Sequence, residues 1–315
     1  MNIALLLMAA FGCTVQSVCK KEFSVRSGRG LYFYSAVGTF VAMLFFAAVQ
    51  AADGTFSYDR TTFWYSLAFS ACHATSIVCG TLLFRYGPFG ISNLIISYSL
   101  LLPTLYGIIK GEPVTFPLIV GILLFALALF LTNYKKQDAG TDKKANFKWL
   151  IFMILAFVAN GFCSIVQKAE GLALREIYGD RGESFSGPFM IVALAIGSFS
   201  LFILSLITES REDRREMIRK TLWLDVFSGG MNGMVNQFVI LLNADGFPAS
   251  VMFPVISGLG IVLAFFLSLL YYKEKFTKMQ VWGFAVGLVS IVILNITNEI
   301  DAWLQPVYAA ILSIF

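Results

Sequence analysis

Long runs of apolar residues alternate with short polar segments along almost the whole chain. A helix needs about 20 mainly apolar residues to cross the hydrocarbon core of a bilayer, and ten runs approach that length. Because the charges are concentrated between these runs, the pattern predicts a polytopic helical membrane protein. The ten runs cover residues 2–19, 30–51, 62–84, 89–109, 116–134, 148–167, 187–208, 221–243, 248–272 and 277–297.

Two of the connecting segments, residues 134–148 and 209–220, are longer than the others and highly charged. The first of them divides the ten runs into two sets of five. The apolar C-terminal segment is too short to span and contains Pro306, so we expect it either to lie in the membrane interface or to be poorly ordered. The predicted division is a first five-helix unit at residues 1–134, a linker at 135–147, a second five-helix unit at 148–297 and a tail at 298–315.

Short motifs recur in the two units in the same order. The turn after run four, KGEPVT, matches the turn after run nine, YKEKFT, with Glu112 and Glu274 at an offset of 162. GTF at residues 38–40 matches GSF at 197–199, and SVCKK at the end of run one matches SIVQK at the end of run six. Since each unit has an odd number of spans, the second unit enters the membrane from the opposite side. The sequence therefore predicts an all-α integral membrane protein, with ten transmembrane helices in two inverted five-helix repeats around a midplane cavity.

The composition agrees with this class of protein. Hydrophobic residues make up 58% of the chain and charged residues only 13%, which is about half the charged share of a soluble domain. The five cysteines lie inside apolar runs, so neither a disulfide framework nor a metal site is favoured. We expect no cofactor and no nucleic-acid partner. The expected partners are a small-molecule substrate and the lipid bilayer, and a monomer is expected with a dimer left open.

Lysine and arginine are distributed unequally between the two sides predicted for the loops. The segments that follow runs one, three, five, seven and nine carry 18 of the 23 Lys and Arg residues. Because basic loops are retained in the cytoplasm, this bias predicts a protein of the cytoplasmic membrane with both termini extracytoplasmic.

Two five-span units, each with a short turn and a glycine-bearing last helix, resemble the drug/metabolite transporter superfamily and, within it, the EamA type. The turns carry Glu112 and Thr115 in the first unit and Glu274 and Thr277 in the second. The resemblance implies a secondary carrier of small metabolites that works by alternating access. It also implies cytoplasmic termini, in contrast to the basic-loop bias. Small multidrug members of the superfamily carry a glutamate in their first helix, whereas run one has no acidic residue.

Polar residues near the centres of apolar runs are costly to bury in a bilayer and are therefore candidate substrate ligands. Aligning SACHATSIVCG with SGGMNGMVNQF at an offset of 159 pairs His73, the only histidine, with Asn232. Both are predicted to face the cavity from opposite units and to bind substrate, and a structural interhelical hydrogen bond is the alternative. Asn236 shares a helix face with Asn232, and Gln237 is a further candidate.

Other polar residues inside the runs complete the predicted site. Gln16 and Asn160 are amides near mid-run, predicted either to line the cavity or to bridge helices. Tyr34 and Tyr98 can supply an aromatic wall with a polar tip.

Two prolines lie inside apolar runs. Pro103 is in run four and Pro254 is in run nine. Each removes a backbone donor and kinks its helix, so both are predicted to serve as gating elements.

Charged residues at the ends of runs favour structural roles. We expect Lys20, Lys21 and Lys168 to extend to the lipid headgroups rather than into the cavity. Asp225 is expected at the membrane interface, and Glu274 is expected to cap the helix that follows it.

The candidate residues favour a transporter over other membrane functions. An intramembrane enzyme needs a catalytic set such as paired aspartates or HExxH, which the chain lacks, so no enzyme activity is expected. We expect a secondary transporter that moves a small amino-acid-like or drug-like metabolite across the cytoplasmic membrane. Transport of phosphorylated or nucleotide sugars, which requires cations in the cavity, is the alternative. A channel or a non-transporting membrane receptor is a more distant alternative.

Overall fold

The computed structural model describes residues 2–54, 56–99, 101–111, 114–133, 143–244 and 249–295. These residues form eleven α-helices and a short 3₁₀ helix, Gly179–Phe185, with no β-strand among them. The α-helices are α1 (Asn2–Arg26), α2 (Leu31–Asp53), α3 (Arg60–Tyr86), α4 (Phe89–Tyr98), α5 (Leu101–Ile109), α6 (Phe116–Asn133), α7 (Lys143–Tyr178), α8 (Ser186–Thr208), α9 (Arg211–Ala244), α10 (Ala249–Leu270) and α11 (Lys278–Asn295).

Six stretches of helix are long and apolar enough to cross a membrane, and shorter apolar stretches lie in α6 and α10. Within the described residues every predicted run falls on helix, with run four divided between α4 and α5. Residues 135–142 of the predicted linker and the whole predicted tail lie outside the described residues. The six stretches are Ile3–Arg26, Leu31–Ala52, Arg60–Tyr86, Phe89–Ile109, Phe147–Tyr178 and Ser186–Thr208.

Large hydrophobic side chains cover the outside of the bundle. Phe11 exposes 58% of its surface, and Phe199 and Trp282 each expose 66%. Extended apolar surface of this kind is unfavourable in water and is matched by lipid. The exterior and the helices of spanning length together support an all-helical integral membrane protein.

Helices of the first half pack mainly against helices of the second half. α1 packs against α9 and α10, α2 packs against α8 and α9, and α3 packs against α7 and α8. α4 and α5 pack against α10 and α7, while α6 packs against α11. The hydrophobic core therefore lies between the halves, as where Leu5 and Ala9 of α1 meet Leu242 of α9 and Phe253 of α10.

Side-chain contacts show which helix ends meet. Arg85 donates a hydrogen bond to the Gly28 carbonyl, and Lys21 donates to the Gly87 carbonyl, each at 3.1 Å. The Tyr272 hydroxyl lies 3.4 Å from the Glu22 carboxylate. These and equivalent contacts bring four connecting segments to one end of the bundle, the basic face, which is rich in Lys and Arg. The segments are residues 27–30, 87–88, 209–210 and 271–277.

The break between α4 and α5 follows from Pro103. Proline has no N–H, so the carbonyl of Ser99, four residues earlier, loses its α-helical partner. That carbonyl accepts a hydrogen bond from the Leu102 amide at 3.1 Å instead, and Gly161 of α7 packs against it. α10, by contrast, continues through Pro254 without a break. The gating roles of both prolines stay predictions.

α2 and α9 approach each other closely at two glycines. A Cβ at residue 229 would lie 2.4 Å from the Gly38 carbonyl oxygen, and a Cβ at residue 38 would lie 2.4 Å from Asp225 Oδ1. Both separations are far shorter than van der Waals contact. The neighbour of residue 229 is backbone, so a larger residue there requires the helices to move apart, whereas at residue 38 the Asp225 side chain would have to shift. Gly229 therefore allows the close approach of α9 to the backbone of the GTF motif, which contains Gly38.

Replacing Gly229 with alanine is expected to destabilise the protein by about 1–3 kcal/mol, because the added methyl group overpacks the contact between α2 and α9. Gly230→Ala is the matched control, since no atom of the described residues lies within 4 Å of its added Cβ and alanine favours helix. We expect this control to keep or raise the melting temperature in detergent. Equal melting temperatures for the two variants would contradict the close approach.

Candidate functional site

A cavity of about 150 Å³ lies at the centre of the bundle, between α1, α3, α4, α7, α9 and α10. Its walls are rich in polar side chains, although the outside of the same helices is apolar. Polar groups are costly inside a membrane unless they bind something, so this lining indicates a site for water and a polar solute. The polar lining residues are Thr14, Gln16, Ser17, Lys20, His73, Ser76, Asn93, Ser97, Asn160, Ser164, Gln167, Asn232, Asn236 and Ser257.

The lining positions of α1 recur in α7. Cys13, Gln16, Ser17 and Lys20 line the cavity, and so does the residue 147 positions after each of them. Spacings of three and four residues place each set on one face of its helix. The corresponding residues of α7 are Asn160, Cys163, Ser164 and Gln167.

His73 and Asn232 meet in the cavity wall. Asn232 Nδ2 lies 3.1 Å from His73 Nε2, and Asn236 Nδ2 donates to Asn232 Oδ1 at 2.7 Å. Because Asn232 Oδ1 accepts from Asn236, its Nδ2 donates to His73, and the histidine proton is assigned to Nδ1. His73 Nδ1 is buried without a hydrogen-bond partner among the described residues. It is therefore a buried donor that the described protein groups leave unsatisfied.

Asn160 connects three helices at the cavity. Its Oδ1 accepts from the Ser76 hydroxyl of α3 at 3.2 Å, and its Nδ2 donates to Ser99 Oγ, at the break after α4, at 2.6 Å. Asn160 thus both lines the cavity and bridges helices, the two roles that the sequence leaves open. Gln16 also lines the cavity.

Lys20 lies in the cavity wall, which corrects its predicted place among the lipid headgroups. Its Nζ packs near Gly80 of α3, and it is the one charged side chain in the lining formed by the described residues. No carboxylate in the described part of the chain lies within 4 Å of this Nζ. Lys21, one residue later, donates instead to the carbonyls of Phe84 and Gly87. A buried cation with no carboxylate in direct contact is costly, so the cavity favours a solute with an anionic group.

Three of the predicted binding residues lie outside this cavity. Tyr98 is buried against Phe125, with ring centroids 3.8 Å apart, in the core between α4, α6 and α11. Gln237 is half-buried and does not line the cavity, because it follows Asn236 by one residue and so lies on another helix face. Tyr34 lines a separate, smaller chamber.

Several lining residues are not among those predicted from the sequence. Asn93 and Ser97 of α4, Ser257 of α10 and Gln167 of α7 are the main ones. The spacing of Asn93 and Ser97 was an available signal, since residues four apart share a helix face. Gln167 likewise lies about two turns beyond Asn160, which is a predicted site residue, and on the same face of α7.

The smaller chamber, of about 10 Å³, adjoins the cavity and shares Gln16, Lys20 and Asn232 with it. Asp225 and Tyr34 also line this chamber. Asp225 is 1% exposed, so the expectation that it lies at the interface is wrong. Its carboxylate fits inside because the helix opposite carries a glycine at that level.

Glu209 of the second half binds the start of a helix in the first half. Its carboxylate accepts hydrogen bonds from the amides of Tyr32 and Phe33, in the first turn of α2, at 2.7 and 3.1 Å. The Ser205 hydroxyl donates to the same carboxylate at 2.7 Å. The free amides and the dipole at a helix N-terminus both favour an anion. The contact therefore joins α8 to α2 at the basic face.

Glu274 makes the equivalent contact with α4. Its carboxylate accepts from the amides of the first two residues of that helix and from the Ser268 hydroxyl. The expectation that Glu274 caps the helix after it is wrong, because Thr277 and Gln280 cap α11 through reciprocal hydrogen bonds. Glu274 therefore joins α10 to α4, again at the basic face and again across the two halves.

No protein-family model matches the chain, and no curated protein matches it. Twenty-six chains of solved structures match its structure. One crystal structure superposes with a TM-score of 0.57 over 96% of this chain and 98% of its own, at 10% sequence identity. At that identity the likeness extends to the fold alone.

Proposed function

We propose that the protein is a secondary transporter of the drug/metabolite transporter type, which moves a small organic metabolite across the cytoplasmic membrane by alternating access. The observation that carries the proposal is the polar cavity at the centre of a bundle whose exterior is apolar. A site enclosed between two halves exchanges with both aqueous sides when the halves move relative to each other.

Two inverted five-helix repeats are part of this proposal. The helix contacts support it, since exchanging the halves turns the α1–α9 pair into the α7–α3 pair and the α2–α9 pair into the α8–α3 pair. The same exchange leaves the α2–α8 pair and the α6–α11 pair unchanged, because the two helices of each pair swap places. This is expected for helices that pack around a two-fold axis. The matched lining faces of α1 and α7 support the same relationship.

The cavity chemistry favours a small solute with an acidic group, such as an amino acid or another carboxylic acid. Lys20 supplies a cation, while amides and hydroxyls supply neutral donors and acceptors. A cavity of about 150 Å³ holds a molecule of about the size of benzene. Nucleotide sugars are much larger, and phosphate groups are best bound by several cations, so the alternative substrate class fits this cavity less well.

Counterflow in proteoliposomes tests the proposal. A thermal-shift screen of amino acids and small carboxylic acids selects solutes, and vesicles preloaded with each unlabelled solute then receive the labelled form. Saturable uptake driven by the internal solute is the expected result. Unsaturated conductance would identify a channel, and binding without flux would identify a receptor. Either result would overturn the proposal.

Replacing Asn232 with leucine is expected to lower counterflow at least about tenfold. The change leaves His73 Nε2 without its partner and removes one of the two acceptors of Asn236, which keeps the backbone carbonyl of residue 232; an unpaired buried group costs about 1–3 kcal/mol. His73→Ala is expected to impair flux for the same reason. Gln237→Leu is the matched control, because it removes an amide outside the cavity. Unchanged flux in Asn232→Leu at normal expression would show that His73 and Asn232 are not part of the substrate site.

A further inference from the structure

The Asp225 carboxylate lies in the chamber beside the cavity, away from water. It is 1% exposed, and its Oδ2 has no hydrogen-bond partner among the described residues. The Tyr34 hydroxyl, in the same chamber, is also buried; the Ser228 side chain lies near it, but no hydrogen bond of normal geometry reaches it among the described residues. Buried oxygens are normally satisfied, so two unsatisfied ones in one chamber indicate a place where something binds.

The size and charge of the chamber restrict what binds there. About 10 Å³ holds at most one water molecule, which excludes an organic solute. A metal cation is disfavoured because the ammonium group of Lys20 also lines the chamber and like charges repel. A proton needs no volume and neutralises the carboxylate.

We propose that Asp225 is the proton-coupling residue of this transporter and that one proton crosses together with one monoanionic solute. The inference rests on the proposed transport function. The empty carrier holds the Lys20 ammonium and the Asp225 carboxylate, whose charges cancel. The loaded carrier holds the Lys20 ammonium, the solute anion and a neutral carboxylic acid, and these charges cancel as well.

A carrier with only one of the two ligands has a net charge at its centre. Solute alone leaves one negative charge in excess, and a proton alone leaves one positive charge in excess. An uncompensated charge inside the protein costs several kcal/mol, so only the empty and the fully loaded carriers change the side to which they open. The proton comes from water on one side, forms the O–H bond of Asp225, and returns to water on the other side. Coupling then needs no direct contact between Asp225 and the solute.

Other titratable groups face Asp225 from the helices that pack against α9. Cys19 and Lys20 lie on α1, and Tyr34 lies on α2. A thiol and a phenol are ordinarily neutral at pH 7, so Lys20 is the group whose charge balances the carboxylate. Glu170 of α7 is also 1% exposed with an unpartnered oxygen, but it lines neither the cavity nor the chamber formed by the described residues. It provides a matched control.

Infrared spectroscopy of the purified protein tests the site with the proton alone as ligand. Because Glu170 is a second buried carboxyl group, the measurement starts from Glu170→Gln. We expect this variant to show a carboxylic-acid C=O band that disappears as the pH is raised and that is absent once Asp225→Asn is added. Lys20→Met is expected to move the loss of the band to higher pH, because removing a nearby cation disfavours the carboxylate. If Asp225→Asn does not fold, Tyr34→Phe is the second variant, and it is expected to shift the pH midpoint of the band. A band that persists after Asp225→Asn is added to Glu170→Gln would overturn the assignment. So would a band that is unmoved in Tyr34→Phe, or the absence of any band in Glu170→Gln itself.

Proton movement in proteoliposomes tests the coupling. Lactate, a monoanion, and alanine, a zwitterion of similar size, are added outside vesicles that contain a pH-sensitive dye. Lactate is expected to acidify the interior faster than in protein-free vesicles, and alanine is not. A gradient of one pH unit is expected to drive up to about tenfold accumulation of lactate. Asp225→Asn is expected to lose this accumulation while it retains lactate counterflow.

The outcomes separate this inference from the proposed function. Lactate flux without proton movement, or equal accumulation by wild type and Asp225→Asn, would overturn the coupling. Counterflow of alanine but not of lactate would overturn the preference for a monoanion, and with it the charge balance. Absence of counterflow for every solute would contradict the transport function itself.

Discussion

Replacing Lys20 with methionine is expected to lower the affinity for an acidic solute at least about 30-fold and to abolish saturable transport at low solute concentration. Methionine keeps much of the side-chain volume and removes the one cation in the described cavity lining. Removing one partner of a buried charged pair typically costs about 2–5 kcal/mol, and 2 kcal/mol corresponds to about 30-fold in affinity. Counterflow measured over a range of solute concentrations gives the change in half-saturation.

The repeat offers a control that separates charge from structure. Gln167 occupies the position 147 residues after Lys20 and lines the same cavity. Lys20→Gln combined with Gln167→Lys moves the cation to the equivalent place in the other half and is expected to restore part of the lost affinity. Lys168→Met, which removes a cation outside the cavity, is expected to leave the affinity unchanged. Equal affinities for wild type and Lys20→Met would exclude an anion-binding role for Lys20.

Replacing Glu209 and Glu274 together with glutamine is expected to open the basic face. Each carboxylate binds the first turn of a helix in the other half, and such a contact is worth about 1–2 kcal/mol. Loss of both is expected to shift the equilibrium between conformations by about 2–4 kcal/mol, which is a factor of about 30 or more. Glutamine keeps the size of each side chain but removes its charge and one of its two acceptor oxygens, so the double variant tests the carboxylate without changing the volume of the side chain.

Two native cysteines of the cavity report this opening. Cys13 and Cys163 line the cavity, and a membrane-impermeant maleimide added at the basic face labels them only when that face is open. We expect labelling at least about tenfold faster in the double variant, on a background with the other three cysteines replaced by serine. Glu212→Gln, an exposed acid at the start of α9, is the control. An unchanged labelling rate in the double variant would show that the two carboxylates do not hold the face closed.

The sequence could predict the helices and part of the site because both depend on periodicity. Apolar runs of spanning length define the helices, and the offset of 159 brought together His73 and Asn232, whose side chains lie 3.1 Å apart. Helical spacing also explains why Asn236 lines the cavity while Gln237 does not. These inferences use distances along one helix or between equivalent helices, which the repeat makes available from the sequence.

The remaining features depend on how helix ends are arranged in three dimensions. A lysine at the end of a span can extend either to the headgroups or inward, and the direction that Lys20 takes depends on the neighbouring helices. Asp225 is accommodated inside because a glycine of α2 lies opposite it. Glu274 binds a helix that is distant in the sequence because α11 has its own cap. None of these choices is encoded in local spacing.

The carboxylate of Glu209 has an uncharged counterpart. Gln50 lies 159 residues earlier, and its Oε1 sits against Gly187 at the start of α8, where an added Cβ would be 2.0 Å away. An amide interacts with a helix end less strongly than a carboxylate does, so the α2–α8 pair is held more firmly at the basic face than at the opposite end. If the protein transports as proposed, the unloaded carrier is expected to rest mainly open to the side opposite the basic face. Its half-saturation concentration is then expected to be lower from that side, while the solute distribution reached at equilibrium is unaffected.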